Sequence, residues 1–458
     1  MSHVTHAATD TARTTDVGPL YRAIWRWHFF AGLIVIPFML LLAITGGLYL
    51  FKNEIAQTVF AYRTVVAAEN RPILPAETLI ANAVAAVPGA KPLSYFDPPD
   101  ATTSAVVKVA APAKTLVWLN PYSGAVLDVA EQRLEFSQFV RKLHSLAFFG
   151  HGLETIIEAT GGLAMVLVIT GVYLWWPRRQ TGGIVTIRGT PARRVFWRDT
   201  HAVAGIFGSV LIFFLAFSGM PWSGYWGNAL NEYASRIGAG YPIGVWDGVP
   251  TSKIPEAAAL DKTIWSEEKA PMPVSRASQT SEVRPIGTTK AITIAKAAGI
   301  TPGFELTLPT DPTGVYSAQI FPADLNRQRT IHIDQYSGEP LVDLGYRDSG
   351  WIGRWVDYGV NIHMGQEWGR FNQLLMLAGV LLLAISSVAA VVMWWKRRPS
   401  GRLGVPPMPV DKRIYRVLWV IAAVFGVLFP ISGLAIVAMV ALDLLLIRTV
   451  KPLRLFFS

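Results

Sequence analysis

Five long apolar runs, separated by polar stretches of unequal length, dominate the hydrophobic pattern of the chain. A bilayer core of ~30 Å takes about 20 apolar residues in a helix. Phe29–Phe51, Ala159–Trp176, Ala202–Leu230 and Phe371–Trp395 meet that need without a charge. Val417–Leu442 is long enough but carries Pro430 and Gly433 near its centre. It reads as one kinked span or as a hairpin turning at Pro430–Gly433, and the hairpin is favoured because it returns the basic C-terminal end to its starting side. The first run is 23 residues long with no small-residue cleavage site after it, so a retained helix is expected.

The long polar stretches have a different periodicity. Leu119-Asn-Pro-Tyr-Ser-Gly124 and Ile333-Asp-Gln-Tyr-Ser-Gly338 are both flanked by alternating Val, Ile and Leu, which predicts strand–turn–strand hairpins whose glycines supply a positive φ. Helical patterns precede them at Glu77–Val87 and Thr289–Ala298. The chain therefore divides into a tail (1–27), TM1 (28–51), a first α+β domain (52–140) and an entry segment with TM2 (141–177). A short connection (178–199), TM3 (200–226), a second α+β domain (227–350) and an entry segment with TM4 (351–395) follow. A second short connection (396–413), the fifth apolar segment (414–447) and a tail (448–458) complete it. The expected fold is an integral membrane, mainly α-helical protein. Its four-helix core comes from a parallel internal repeat, joined by a C-terminal apolar segment and two small external α+β domains.

Composition agrees, with 52% hydrophobic residues, 16 Trp and only 16% charged residues. The net charge of +10 would suit a nucleic-acid partner, but its distribution excludes one. The tails and the two short connections together carry +15, and the rest of the chain carries −5. Basic residues so placed orient helices, putting the N-terminus and short connections in the cytoplasm and both α+β domains outside. With no Cys, disulfides, thiolate nucleophiles, iron–sulfur clusters and covalent c-type haem are ruled out.

The repeat fixes four histidines. His28 lies 17 residues before Thr45-Gly46, and His201 lies 17 before Ser218-Gly219. His144 and His363 each lie 31 residues before the first Trp of a double-Trp helix end, Trp175 and Trp394. His28 and His201 are thus expected at the cytoplasmic ends of TM1 and TM3, and His144 and His363 at the external approaches to TM2 and TM4. Gly32 and Gly205 follow a histidine by four, on the same helix face, where a flat cofactor would reach the backbone. Histidines in membrane segments are functional by default. No Cys and no recurring carboxylate accompany the pairs, so a protein-only zinc or iron site does not fit. Two imidazoles per centre suit a noncovalent b-type haem with both axial positions filled. A pseudo-two-fold along the membrane normal gives two haems, one held by His28 and His201 and the other by His144 and His363. His151, unmatched in the second half, is a reserve iron ligand in place of His144, a residue facing an external substrate, or a plain interfacial residue. His332, on a predicted strand, reads as structural. Trp222, Tyr225, Trp226, Trp351, Trp355 and Trp368, with Gln366 and Glu367, are candidates for an external docking cleft, against the alternative of an interfacial aromatic belt.

Trp25-x-x-His28-x-x-x-Gly32, Leu143-His144-x-Leu146, Thr170-Gly171, Trp175-Trp176-Pro177-Arg178-Arg179 and His363-x-Gly365-Gln366 resemble the PepSY-associated transmembrane family, and the two Tyr-Ser-Gly hairpins resemble its PepSY domains. The resemblance covers about residues 20–400. It departs from the family at Met364, where Thr is common, and in the tail after residue 410. Members include inner-membrane ferric-siderophore reductases with two b-type haems. The resemblance therefore implies a bacterial inner-membrane oxidoreductase, passing electrons from a quinol or a cytoplasmic reductase to a periplasmic ferric siderophore and releasing Fe(II). Two alternatives remain open: a cytochrome b subunit serving a separate partner reductase, and a non-redox PepSY anchor that regulates a peptidase. No Gly-rich dinucleotide loop follows a strand, so NAD(P)H or flavin is not expected on this chain.

Overall fold

The computed structural model describes residues 18–150, 152–178, 182–276, 284–407, 413–447 and 449–457. Among these, four helices are long and apolar enough to cross a membrane. Helix α1 (Pro19–Leu50) starts nine residues before the boundary expected for TM1, with Pro19 in the first turn, where its missing N–H costs nothing. Helix α2 (Ala76–Ala86) belongs to the first α+β unit, and α3 (Phe136–His144) is the entry segment. Helices α4 (Glu154–Trp175) and α5 (Arg194–Gly219) are the second and third spans. Helix α5 differs from the expected 200–226. It begins earlier, and Pro221 limits its far end to a single 3₁₀ turn at Met220–Trp222 before a separate helix, Trp226–Arg236. Helices α6 (Thr288–Ala297), α7 (Trp351–His363) and α8 (Arg370–Trp395) repeat α2, α3 and α4.

Helix α1 packs on α4 and α8, and α5 packs on the same two, so the spans form a ring with α1 diagonal to α5. Repeat-related contacts close the end away from the sheet. The Trp175 indole donates to the carbonyl of Ile184 at 2.8 Å, and the Trp394 indole to that of Leu403 at 2.8 Å, each nine residues on.

The fifth apolar segment forms two helices, α9 (Arg413–Leu428) and α10 (Pro430–Ala441), with Phe429 extended between them. A Cβ on Gly433 would stand 2.4 Å from the Cα of Gly426, so the arms touch backbone to backbone at the turn. The turn lies near the sheet-side end of α4, where the Ser432 hydroxyl donates to the Glu158 carbonyl. Just beyond α10, Asp443 is bound by the Arg26 guanidinium (Nε to Oδ2, 2.9 Å), at the opposite end of α1.

The external domains are not two separate small units, as their sequences suggest. Strands β1 (Lys91–Phe96), β2 (Ala105–Ala111), β3 (Ala113–Leu119) and β4 (Val126–Glu131) come from the first half. Strands β5 (Glu305–Thr307), β6 (Val315–Ile320), β7 (Arg329–Asp334) and β8 (Pro340–Gly345) come from the second. Antiparallel pairing of β1 with β5 joins them into one eight-stranded sheet, ordered β8-β7-β6-β5-β1-β2-β3-β4. Each half thereby covers the other's exposed edge, which would otherwise invite aggregation. Helices α2 and α6 bury Leu79, Ala83, Ala291 and Ala295 against one face, with Val107, Val117, Ala318 and Ile331. Both hairpin turns are as their sequences predict. Gly124 and Gly338 have φ of 72° and 77°, and Asn120 and Asp334 each accept two backbone N–H groups from the turn.

Candidate functional site

The four repeat-related histidines meet in two pairs inside the ring of helices. His28 on α1 and His201 on α5 face each other across the diagonal, with ring centroids 6.3 Å apart and planes 73° apart. Two imidazoles on opposite sides of one metal, each ~2 Å from it, put their centroids about 6 Å apart. His144 and His363 form the second pair, nearer the sheet, close enough for one ring to act electrostatically on the other. His28 and His144 do not share a centre.

Each ring is held through Nδ1 in the same way. Nδ1 of His28 meets the Thr170 hydroxyl at 2.8 Å, and Nδ1 of His144 meets that of Thr45 at 2.8 Å. In the second half, Nδ1 of His363 meets the Ser218 hydroxyl at 2.9 Å, and Nδ1 of His201 meets both the carbonyl and hydroxyl of Ser386 at 2.9 Å. Thr45, Thr170 and Ser218 already donate their only hydroxyl proton to the carbonyl one turn back, Leu41, Val166 and Phe214, at 2.6, 2.7 and 2.6 Å. Their oxygens can therefore only accept from the imidazole, and so can the Ser386 carbonyl. All four histidines are fixed with the proton on Nδ1 and a lone pair on Nε2. Among the described residues, no protein group hydrogen-bonds any of the four Nε2 atoms. This is the tautomer a metal-binding imidazole needs, oriented by its second nitrogen.

Glycines set the close approach. A Cβ at Gly171 would lie 3.3 Å from Cε1 of His28; at Gly46 and Gly219 the distances to His144 and His363 are 3.5 and 3.7 Å. A Cβ on Gly32 meets nothing within 4 Å, so the face one turn beyond His28 borders open space. Gly205 lies instead against Ser386, at 3.7 Å. Among the described residues, no group of three or more His, Asp or Glu side chains forms a metal cage. A macrocycle that brings its own four nitrogens and takes one imidazole on each face fits these pairs, and a bare cation does not.

Sequence reasoning located the four histidines but not their partners. The Thr-Gly and Ser-Gly pairs are visible as register marks, yet their role depends on which helix they face. His151 lies outside the described residues. His332 is structural, fully buried between the Ser317 hydroxyl (2.8 Å) and Glu256 (3.0 Å). Two docking candidates are otherwise engaged. Trp226 stacks on Phe429 and bonds the Leu428 carbonyl, and the Glu367 carboxylate takes the Asn361 amide. Trp351, Trp355 and Trp368 remain exposed.

The PepSY-associated TM region family matches residues 25–397, more than half of the chain. The chain belongs to that family. This PepSY-associated membrane protein is multi-pass, with all four paired histidines and their hydroxyl partners inside the matched span and the α9–α10 hairpin beyond it. Comparison with curated proteins gives no match.

Proposed function

We propose that the chain is an inner-membrane electron carrier that holds two b-type haems and reduces a ferric chelate on the periplasmic, sheet-bearing side. The observation that carries this reading is the fixed tautomer of four imidazoles in two pairs, with no hydrogen bond to any Nε2 among the described residues. His28 and His201 would hold one haem toward the cytoplasm, and His144 and His363 the other toward the periplasm. Bound there, haem iron supplies reversible one-electron chemistry, with potentials set by axial ligands and surroundings. The chain's own work is positional. Thr170, Thr45, Ser218 and Ser386 hold the Nδ1 protons, and no side chain need act as acid or base. The substrate is an oxygen-ligated Fe(III) chelate, whose metal is released on reduction because Fe(II) binds hard oxygen donors less well. The donor is a quinol or a cytoplasmic reductase.

Purified protein should show a reduced b-type α band, and its absence at full haem supply would sink the reading. His201→Ala and His363→Ala should each remove about half the haem; unchanged content would show the pairing to be wrong. Anaerobic mixing of dithionite-reduced protein with ferric chelates should reoxidise it. Failure with every chelate would favour a cytochrome subunit that serves a partner reductase.

A further inference from the structure

Three carboxyl groups sit in a row along one strand, on the face of the sheet opposite α2 and α6. Thr330 and His332 alternate with the core residue Ile331 on β7, so they share that face about 7 Å apart, beside Gln319 and Ser317 of β6. The His332 imidazole is held between the Ser317 hydroxyl (2.8 Å) and the Glu256 carboxylate (3.0 Å). Thr330, which accepts the Gln319 amide at 3.5 Å, donates its hydroxyl to Glu267. Just ahead of the strand, Gln328 donates to Asp357 of α7 at 3.2 Å. Glu256, Glu267, Thr330 and His332 are at most 1% exposed, and Asp357 is buried too.

Glu256 and Glu267 belong to one closed loop. The Glu256 N–H donates to the Ala270 carbonyl at 2.9 Å, and the Ala270 N–H to the Glu267 carbonyl at 2.8 Å. Away from β7 the loop is pinned by Asp261, which takes Lys108 at 2.8 Å. Leu260 and Asp261 line a cleft of about 260 Å³ together with Ser94 and Thr307 of the β1–β5 seam.

Oε2 of Glu256 and Oε2 of Glu267 are buried without a hydrogen-bond partner. Among the described residues, neither Glu267 nor Asp357 makes an ion pair. Around the row, Glu268 takes the Asn231 amide (3.1 Å), and Lys269 reaches Asn228 (3.4 Å). Asp334 takes the N–H groups of Arg276, Tyr336 and Ser337, and the Tyr346 phenol donates to the Arg354 carbonyl. Lys108 is spent on Asp261 and Glu305. A buried carboxylate with no counter-charge is better protonated than ionised, so protons keep the row neutral. Burial first, then Glu256 and to a lesser extent Asp357, push the Glu267 carboxyl up against the pull of the Thr330 hydroxyl.

We propose that Glu256, Glu267 and Asp357, seated on His332, Thr330 and Gln328, form a proton-held latch that fastens the 256–270 loop over the seam cleft and releases it when the protons leave. The latch needs no cofactor. Carboxyls raised in the folded state stabilise it fully below about pH 4, and that stabilisation is lost as pH rises through their folded values. The latch is therefore shut in acid and loosens toward alkaline pH.

Amide hydrogen exchange of the full chain in nanodiscs tests this, read as protection factors so that the intrinsic pH dependence of exchange drops out. Protection of residues 256–270 should fall about tenfold or more between pH 5 and pH 8, tenfold being the worth of one unit of raised pKa. Protection of α2, on the other face of the sheet, should not change. Glu267→Gln, a neutral isostere, should keep most of the pH 5 protection at pH 8, and the double variant with Asp357→Asn should keep all of it. Asp261→Asn should lower loop protection equally at both pH values. Wild-type protection that does not change with pH overturns the proposal, whether or not the variants fold. An undiminished fall in both Glu267→Gln and the double variant overturns it as well. So does an equal fall in α2, which would mean unfolding of the whole sheet domain and not release of the loop.

Discussion

A hydroxyl on a neighbouring helix decides the state of His28, His144 and His363, and the Ser386 carbonyl that of His201. The hydroxyl spends its own proton on the turn behind it, which obliges the imidazole to donate from Nδ1 and leaves Nε2 for a metal. Thr45→Val and Ser218→Ala, which keep shape but lose the acceptor, should lower retention of the sheet-side haem by about 10–100-fold, whereas Thr45→Ser should not. Haem titration of apoprotein checks this, and unchanged affinity would make the hydroxyls mere packing. The histidines were legible in the sequence because a spacing of 17 and one of 31 recur in both halves. Their partners were less so. Thr45, Thr170 and Ser218 each precede a glycine and stand out, but Ser386 precedes Ser387 and gives no such signal. Which hydroxyl meets which ring is a tertiary fact that no local pattern carries.

Elements transmit this placement to the sheet and the membrane. Helix α7 carries His363 at its end and is tied to the sheet domain by the Asn361 amide on the Ala323 carbonyl (2.7 Å) and by Gln328 on Asp357 (3.2 Å). Burial raises the Asp357 carboxyl to about 7, with a lesser push from Glu268. The folded value exceeds the unfolded one of about 4, so the neutral acid's stabilisation is complete below pH 4. It is lost as pH rises to 7, because the unfolded chain releases its proton first. Amide exchange in α7 should therefore quicken between pH 5 and pH 8, and Asp357→Asn should flatten that dependence. An equal slope in the variant would assign the effect elsewhere. The α9–α10 hairpin shows the reverse balance of legibility. Pro430 and Gly433 marked the turn in the sequence, but its contact with Glu158 and the reach from Arg26 to Asp443 are long-range. Since the chain lacks Cys, single cysteines are clean reporters. Lys451→Cys and Arg398→Cys should label from one side of a sealed vesicle and Ser337→Cys from the other. Labelling of Lys451→Cys from the Ser337 side would rule out the hairpin.

At the scale of the whole molecule, one pseudo-two-fold relates the two halves of the repeat. It exchanges α1 with α5 and α4 with α8, and so His28–Thr170 with His201–Ser386. In the sheet it runs through the β1–β5 seam, since the strand order reads outward identically on both sides. The repeated hairpins announced the two halves in the sequence. The seam did not, because β5 is three residues long and its partner lies more than two hundred residues away. The seam's register makes a sharp prediction. Leu308 donates to Leu93 and Asp97 to Phe304, so the Ser94↔Thr307 pair between them is not hydrogen-bonded to itself. Such pairs have Cα atoms about 4.5 Å apart, within reach of a disulfide. Ser94→Cys/Thr307→Cys should cross-link under mild oxidation in this otherwise cysteine-free chain, while Ser94→Cys paired with Leu306→Cys, which project to opposite faces, should not. If the sheet is a rigid platform over the helix ring, the staple should leave haem content and chelate reoxidation rates unchanged. Slower reoxidation on cross-linking, restored by a reductant, would instead mean that the halves must part at the seam for substrate to enter. No cross-link would refute the fused sheet, returning the molecule to two separate domains with the two-fold confined to the membrane.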